Sequence, residues 1–369
     1  MNVLELHIIR NYPLSRLNRD ENGSPKSFIF GGKPRASFSS QCFKRAVRMY
    51  LKDQKPHLFG GARTKYLIEH LRKALMDKGT KEPLALQLAT AVGSYLSSVD
   101  ESDETSIRTK TALFFSDMEI DGIASAIREA EQNETLDSLF KFTKGKKGQE
   151  DSYSLNKNKA KFLKGIKPKD IGDVALFGRM VSNDSSFSAE AASCFSHSFS
   201  VHASTNEPDF FSAVEESPLI ESSGAAHVGE SEHNSACYYS YININLDEVK
   251  SGLMSVFSPE EQEDIIREFI NGCIIVTPSA SKHGMFAATQ PYCLLGLVRT
   301  GFELSLANAF EEPVRPSPTG YSEKAANRLK DEWDLHKKSF GSRLGIKYEK
   351  LWKMGDSLDD FIEGMLKNV

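Results

Sequence analysis

Residues 17–54 read LNRDENGSPKSFIFGGKPRASFSSQCFKRAVRMYLKDQ, and their reading decides how the rest of the chain is understood. Gly31 and Gly32 lack a Cβ, so the backbone there can turn sharply and bring N–H groups close to a bulky ligand. Ser39 and Ser40 follow, residue types that cap helix N-termini and also bond phosphate oxygens. A helix is predicted next: Phe43, Val47, Tyr50 and Leu51 share one side at a 3.6-residue period, while Lys44, Arg48 and Lys52 stack four apart as a cationic stripe. Helix dipole, backbone donors and cations together suit a phosphate chain. The same pattern also fits an ordinary turn and a solvated surface helix. Neither GxxxxGK[ST] nor GxGxxG occurs, which excludes a Walker loop and a dinucleotide fingerprint.

Charge separates along the chain. Residues 1–55 carry eleven Lys/Arg against four Asp/Glu, and residues 141–169 carry ten lysines against Glu150 and Asp151, inside a chain of net charge −4. Two cationic blocks on an acidic background form the electrostatic footprint expected for a polyanion. The second block, with KGKKGQEDS at residues 144–152, equally fits a solvated lysine loop.

LNRD, then FGGK and Arg35, then SSQ and KRA with Arg48, in this order and spacing, resemble the N-terminus of the CasC family, the backbone subunit of the type I-E CRISPR effector Cascade. The resemblance continues through ALFGRM (residues 175–180), FFSAVEE (210–216), GAAHVG (224–229), YININL (241–246) and LANAFEEPV (306–314), and weakens toward the C-terminus. It implies an α+β fold: a ferredoxin-like, RNA-recognition-motif-like palm with an antiparallel sheet, a helical finger insertion and a protruding thumb hairpin. The implied division is palm with RNA-binding loop and helix at 1–60, helical fingers with the lysine block at 61–170, palm strand and turn at 171–198, thumb at 199–235, and the remaining palm with C-terminal helices at 236–369.

Function follows from the same resemblance. It implies a non-catalytic subunit that associates head to tail with copies of itself along a crRNA and leaves the bases free to pair with target DNA. The other partners implied are further Cascade subunits and a DNA nuclease, with no cofactor and no metal. Phosphate contacts are assigned to Arg19, Lys26, Lys33, Lys44, Arg45 and Arg48, and hydroxyl or amide contacts to Ser39 and Gln41. RNA shaping is assigned to Arg179 and Met180, and further RNA contacts to Asn18, Arg35 and His202. Target DNA is assigned to Lys157, Lys159, Lys161 and Lys164, as point charges indifferent to sequence.

The remaining chain is read from pattern. Leu4, Leu6 and Ile8 alternate, predicting a half-buried first strand over residues 3–10. Helices are predicted near residues 64–78, 83–98 and 120–133. DVALFGRM (173–180) reads as a strand entering a turn at Gly178. Residues 238–246 read as a strand; Ser258, Pro259 and Glu261 start a helix that ends at Gly272, followed by strands at 273–277 and 292–299. Three helical pieces anchored by Trp333, Phe340, Trp352 and Phe361 are expected after residue 321. The loop 278–291 brings Ser279, Ser281, Lys282, His283 and Gln290.

Other classes are constrained. No run of eighteen apolar residues occurs, and MNVLELHIIRNY has neither a signal core nor a basic lead-in, so no membrane span or secretory signal is expected. Cys42, Cys194, Cys237, Cys273 and Cys293 are odd in number and lack CxxC, as for reduced, mostly packed thiols in a cytoplasm. His197, His202, His227 and His233 lie near Asp209, Glu215, Glu216, Glu230 and Glu232 in sequence, yet without HExxH spacing. Two rival functions stand beside the scaffold: an endoribonuclease of type III kind using Asp20 or Asp209, and a stand-alone RNA-binding protein.

Overall fold

The opening strand is longer and more deeply buried than its alternating pattern predicts. In the computed structural model it spans Asn2–Ser15, and every residue from Val3 to Arg10 is buried. The structure describes all residues except 101–107, 147–150, 215–224, 279, 281 and 282. The deep burial has a topological cause. The strand pairs antiparallel with Ala225–Asn245 on one side and Cys293–Thr300 on the other, and both faces are covered.

One face carries Ile9, Tyr239, Tyr241, Leu295 and Leu297, packed under Leu306, Phe310 and the helix Ser322–Phe340. On the other, Gly296 lies against Phe361 and Met365 of the helix Leu358–Leu366, where a Cβ would come within 2.6 Å of the Phe361 ring. Glu5 and Arg10, charged and trapped between these layers, both find partners, as burial requires. Glu5 accepts from Tyr241 Oη (2.6 Å), Arg299 Nη2 (2.9 Å) and the Leu304 amide (2.7 Å). Arg10 donates to the carbonyls of Ile274 and Val276, closing the C-terminus of the helix Pro259–Ile275.

Across the sheet the order is Ile346–Lys353, Cys293–Thr300, Asn2–Ser15, Ala225–Asn245, Ser198–Ser200, Lys33–Phe38 and Ser27–Phe30, with Ser193–Phe195 and Glu207–Val214 also paired to Ala225–Asn245. This large antiparallel sheet lies in one of two units, made of Met1–Tyr50, Ser193–Asp247 and Ile266–Val369.

The other unit comprises Leu51–Ala192 and Glu248–Ile265. Its core is built by the helices Leu67–Asp77, Leu84–Leu96 and Asp117–Gln132, through Ile68, Leu71, Leu88, Val92, Ile123 and Ile127 among others. Ser116 and Glu119 form a capping box, and Ser258 and Glu261 form the one read from sequence.

Three predicted elements are corrected. Residues 172–177 form a helix, Gly172–Phe177, not a strand; all six residues are buried, Asp173 included, and a short segment buried on every side has no periodicity to read. It ends at Gly178, whose φ of +76° suits glycine. The helix expected to stop at Gly272 continues to Ile275 through the segment predicted as a strand, because Cys273 and Ile274 are buried on its packed face and Arg10 closes its end. The middle C-terminal piece is the strand Ile346–Lys353, which extends the sheet beside Cys293–Thr300.

Candidate nucleic-acid interface

Gly31 and Gly32 form a two-residue hairpin turn between Ser27–Phe30 and Lys33–Phe38, with φ of +57° and +69°. Two successive positive φ values are what a type I′ turn demands, so the glycines shape a hairpin. The helix Ser40–Gln54 then begins with Ser39 as its cap: Ser39 Oγ accepts from the Cys42 amide at 3.2 Å. Asn18 ties the preceding loop to this start, its Oδ1 accepting the Ser39 amide (3.0 Å) and its carbonyl the Lys26 amide (3.1 Å). The Ala280 amide donates to the Arg16 carbonyl at 3.1 Å, which fastens the loop following Pro259–Ile275 to the same place. Three segments remote in sequence thus meet at one helix N-terminus, whose first turn holds no acidic residue.

Cations gather there. Burial raises the Cys42 thiol above its ordinary pKa, and the charges of Arg45 and then Lys26 pull it back, so both cations lie close enough to act on that sulfur. Arg45 also lines a 300 Å³ cleft with Cys42, Met49, Thr277 and Phe286. Beside it, Asn18, Arg19, Asp20, Glu21 and Gly23 line a second depression with Ala280. Asp20 is engaged in the turn itself, its Oδ1 accepting the amides of Asn22 and Ser24, both at 2.9 Å. Gln41, Arg45 and Met49, spaced four apart, are exposed, whereas the predicted stripe Lys44, Arg48 and Lys52 is half-buried one position around the helix. Lys44 Nζ sits 5.5 Å from the centre of the Phe195 ring, and Lys52 donates to the Gly60 carbonyl at 3.2 Å. Lys33 is exposed beside the glycine turn.

Four residues expected at RNA face inward. Arg35 has no exposed surface, and its guanidinium donates to the carbonyls of Phe30, Ser200, Phe310 and Glu311, fixing the glycine hairpin to the body of its unit. The Arg179 side chain is 7% exposed; it pairs with Glu119 at 2.7 Å, donates to the Phe187 carbonyl and lies 4.6 Å from the Phe115 ring centre. His202 is buried and stacked on Tyr321 at 3.8 Å between ring centres, with Nε2 accepting the Cys237 amide and Nδ1 bonded to the Ala203 carbonyl. Burial lowers its pKa, with Arg35 acting in the same direction, and these bonds fix the neutral ring protonated on Nδ1. Ser39 is buried with its hydroxyl engaged in the cap. Arg35, Arg179, His202 and Ser39 thus spend their polar groups on partners inside the fold: sequence shows donor chemistry but not which side of a fold it lands on. Met180, in contrast, is 83% exposed. Met49, Thr277 and Phe286 were not singled out by sequence, and Cys42 only as a packed thiol, because only the fold makes them neighbours.

A family model described as CT1975-like protein matches residues 4–357. The chain belongs to the CT1975-like (Cas_CT1975) family. That membership bears out the CasC resemblance. No curated protein matches the chain. Among solved structures, a chain of a CRISPR RNA-guided surveillance complex, pre-nicking, superposes with a TM-score of 0.82 at 25% identity, covering 99% of each chain. A chain of a second CRISPR RNA-guided surveillance complex superposes at 0.70 with 23% identity over 100% of both, a likeness of fold.

This member of the CT1975-like family presents a second cationic surface, in its helical unit. Lys157, Lys161 and Lys164 are exposed. Lys164 Nζ lies 5.6 Å from the Phe187 ring centre, and Lys157 helps hold the Asp184 carboxyl down to about 2, behind the larger effects of hydrogen bonds from Ser186 and Tyr95. Lys159 instead donates to the Asp137 carbonyl. In the sheet unit, residues 207–214 pair with 225–233 as a two-stranded hairpin, while 234–245 continue into the sheet. Phe210 and Phe211 are exposed on it, and Phe211 covers Gly229. Phe199, expected at the start of the thumb, is buried in the sheet core, and residues 215–224, like Ser279, Ser281 and Lys282, lie outside the described residues. His233 is held by Ser231 Oγ at 2.8 Å and lies 3.4 Å from Asp209. Among the described residues no group of three or more His, Cys, Asp or Glu side chains is placed to hold a metal ion. Three of the five free cysteines are buried, and no described helix is long and apolar enough to cross a membrane.

Proposed function

We propose that the chain is a non-catalytic backbone subunit of a Cascade-type CRISPR effector, binding guide RNA by its sugar-phosphate backbone and leaving the bases free to pair with target DNA. The observation that carries this reading is the gathering of Arg19, Lys26, Gln41 and Arg45 around a helix N-terminus whose first turn holds no acidic residue, in a member of a family whose fold recurs in RNA-guided surveillance complexes. Lys33, Lys44 and Arg48 flank that start as further phosphate contacts, Asn18 orders its entry loop, and Met180 supplies an exposed wedge. Lys157, Lys161 and Lys164 grip target DNA, with Lys159 beside them. None of these groups reads a base edge, so one protein serves any guide and specificity comes from pairing.

Within the sheet, the order Cys293–Thr300, Asn2–Ser15, Ala225–Asn245, Ser198–Ser200 with Ser40–Gln54 and Pro259–Ile275 as connecting helices supports a ferredoxin-like palm. Its RNA surface is displaced from the sheet, since the face bearing Tyr239 and Tyr241 is already covered. The helical unit serves as fingers and the hairpin 207–233 as the thumb. Copies associate head to tail, a heterologous contact that propagates as a helical filament of type I-E kind and recruits the remaining subunits and a DNA nuclease in the cytoplasm. Co-expression with the neighbouring effector genes and a repeat array, followed by high-salt, nuclease-treated purification, tests the reading. A discrete protected RNA in a large assembly is expected; a monomer free of RNA would overturn it.

A further inference from the structure

We propose that the cleft between helix Ser40–Gln54 and residues 276–278 and 286–288 seats one nucleobase of the bound RNA, stacked on Phe286. This rests on the RNA-interface reading and adds to it a contact that is not electrostatic, made by one base that is withheld from pairing while the others stay free. Phe286 is 72% exposed and Met49 46% exposed, and both line the same 300 Å³ cleft as Cys42 and Ala287. Such a volume is at the small end of organic-ligand pockets, about 300–1,000 Å³, and suits a base with its ribose.

The rim decides the occupant. Arg45 lines the cleft, Lys26 lies close enough to act on the Cys42 thiol at its wall, and no acidic residue is among those lining it. A flat apolar floor beside cations matches a nucleotide, which joins a flat π-face to an anion. A third feature points the same way. Thr277 lines the cleft, and its Oγ1 is buried without a hydrogen-bond partner. A buried hydroxyl left unpaired is costly, and a base edge or ribose hydroxyl entering the cleft would satisfy it. Because every base offers a π-face, the contact is sequence-tolerant and favours purines by stacking strength.

Phosphate contacts and stacking separate experimentally, because only the former release counterions. The test measures binding of the full chain to a short oligoadenylate and to an abasic ribose-phosphate oligomer of equal length, across a salt series. Phe286→Ala is expected to weaken oligoadenylate binding about tenfold at every salt concentration with the salt slope unchanged, and to leave abasic binding at the wild-type level. Phe286→Trp is expected to retain the wild-type affinity. Equal loss on both oligomers, a reduced slope, or no loss on oligoadenylate would overturn the stacking contact while leaving the wild type's steep salt dependence intact. A wild-type chain that binds neither oligomer would overturn the RNA interface and the stacking contact together.

Discussion

Neutralising Lys26 and Arg45 together probes the centre of the proposed interface. Both act on the Cys42 sulfur, and neither has an ion-pair partner among the described residues, so Lys26→Gln/Arg45→Gln removes two charges without stranding an opposite one. On single strands each phosphate contact contributes about 0.7 to the slope of log K against log salt, so the pair accounts for about 1.4. At 0.1 M salt this corresponds to about 25-fold weaker binding, and the difference closes toward 1 M. Anisotropy titrations of labelled single-stranded RNA at four or more salt concentrations read both numbers. Arg35→Gln is the contrasting variant, since its guanidinium holds four carbonyls inside the fold; it is expected to lower the denaturation midpoint and leave the slope of the folded protein alone. A double variant that keeps the wild-type slope and affinity with its fold intact would refute the placement of RNA at this helix.

Other expectations follow from the same geometry. His7 is held neutral, its pKa pushed down to about 3 by burial and then by Arg299, whereas the unfolded chain regains the ordinary 6.5. The unfolded state therefore binds the extra proton between those values, and stability falls on acidification from pH 6.5 toward 3, by about 2 kcal/mol at pH 5. Denaturation midpoints across pH are expected to show this loss in the wild type and a flatter profile in His7→Gln; identical profiles would refute it. Gly31→Ala places a Cβ 1.8 Å from the Glu311 carbonyl oxygen in addition to the positive φ, while Gly32→Ala meets open space and costs about 1–2 kcal/mol from φ alone. Equal costs in chemical denaturation would show that the hairpin does not abut Glu311. Replacing Lys157, Lys161 and Lys164 by Gln is expected to weaken target-DNA binding by the assembled complex while its guide content is unchanged; loss of guide RNA instead would place those lysines on the wrong nucleic acid.

Local devices were legible in the sequence because they depend on near neighbours. The cap at Ser39, the capping box of Ser258 and Glu261, the apolar stripe of Phe43, Val47 and Leu51, and the tight turn at the paired glycines each need only a few consecutive residues to be specified. Largely buried segments were not legible: VALF and the CII that ends the helix Pro259–Ile275 are unbroken apolar runs, so no period distinguishes helix from strand. Charge was legible as chemistry and not as position. Arg35, Arg45 and Arg179 look alike in the chain, yet two are engaged inside the fold and one faces solvent.

By itself, then, the sequence determined the family, through ordered motifs spread over most of its length, and the presence of two cationic blocks suited to a polyanion. Only the tertiary structure decided which cations are available. It turned the exposed stripe of the helix one position round, to Gln41, Arg45 and Met49, and brought Thr277 and Phe286 to the same helix from more than two hundred residues away. The physical reason is that exposure and proximity are properties of packing. A guanidinium surrounded by backbone carbonyls and one surrounded by water have the same covalent structure, and only the contacts made across the fold distinguish them.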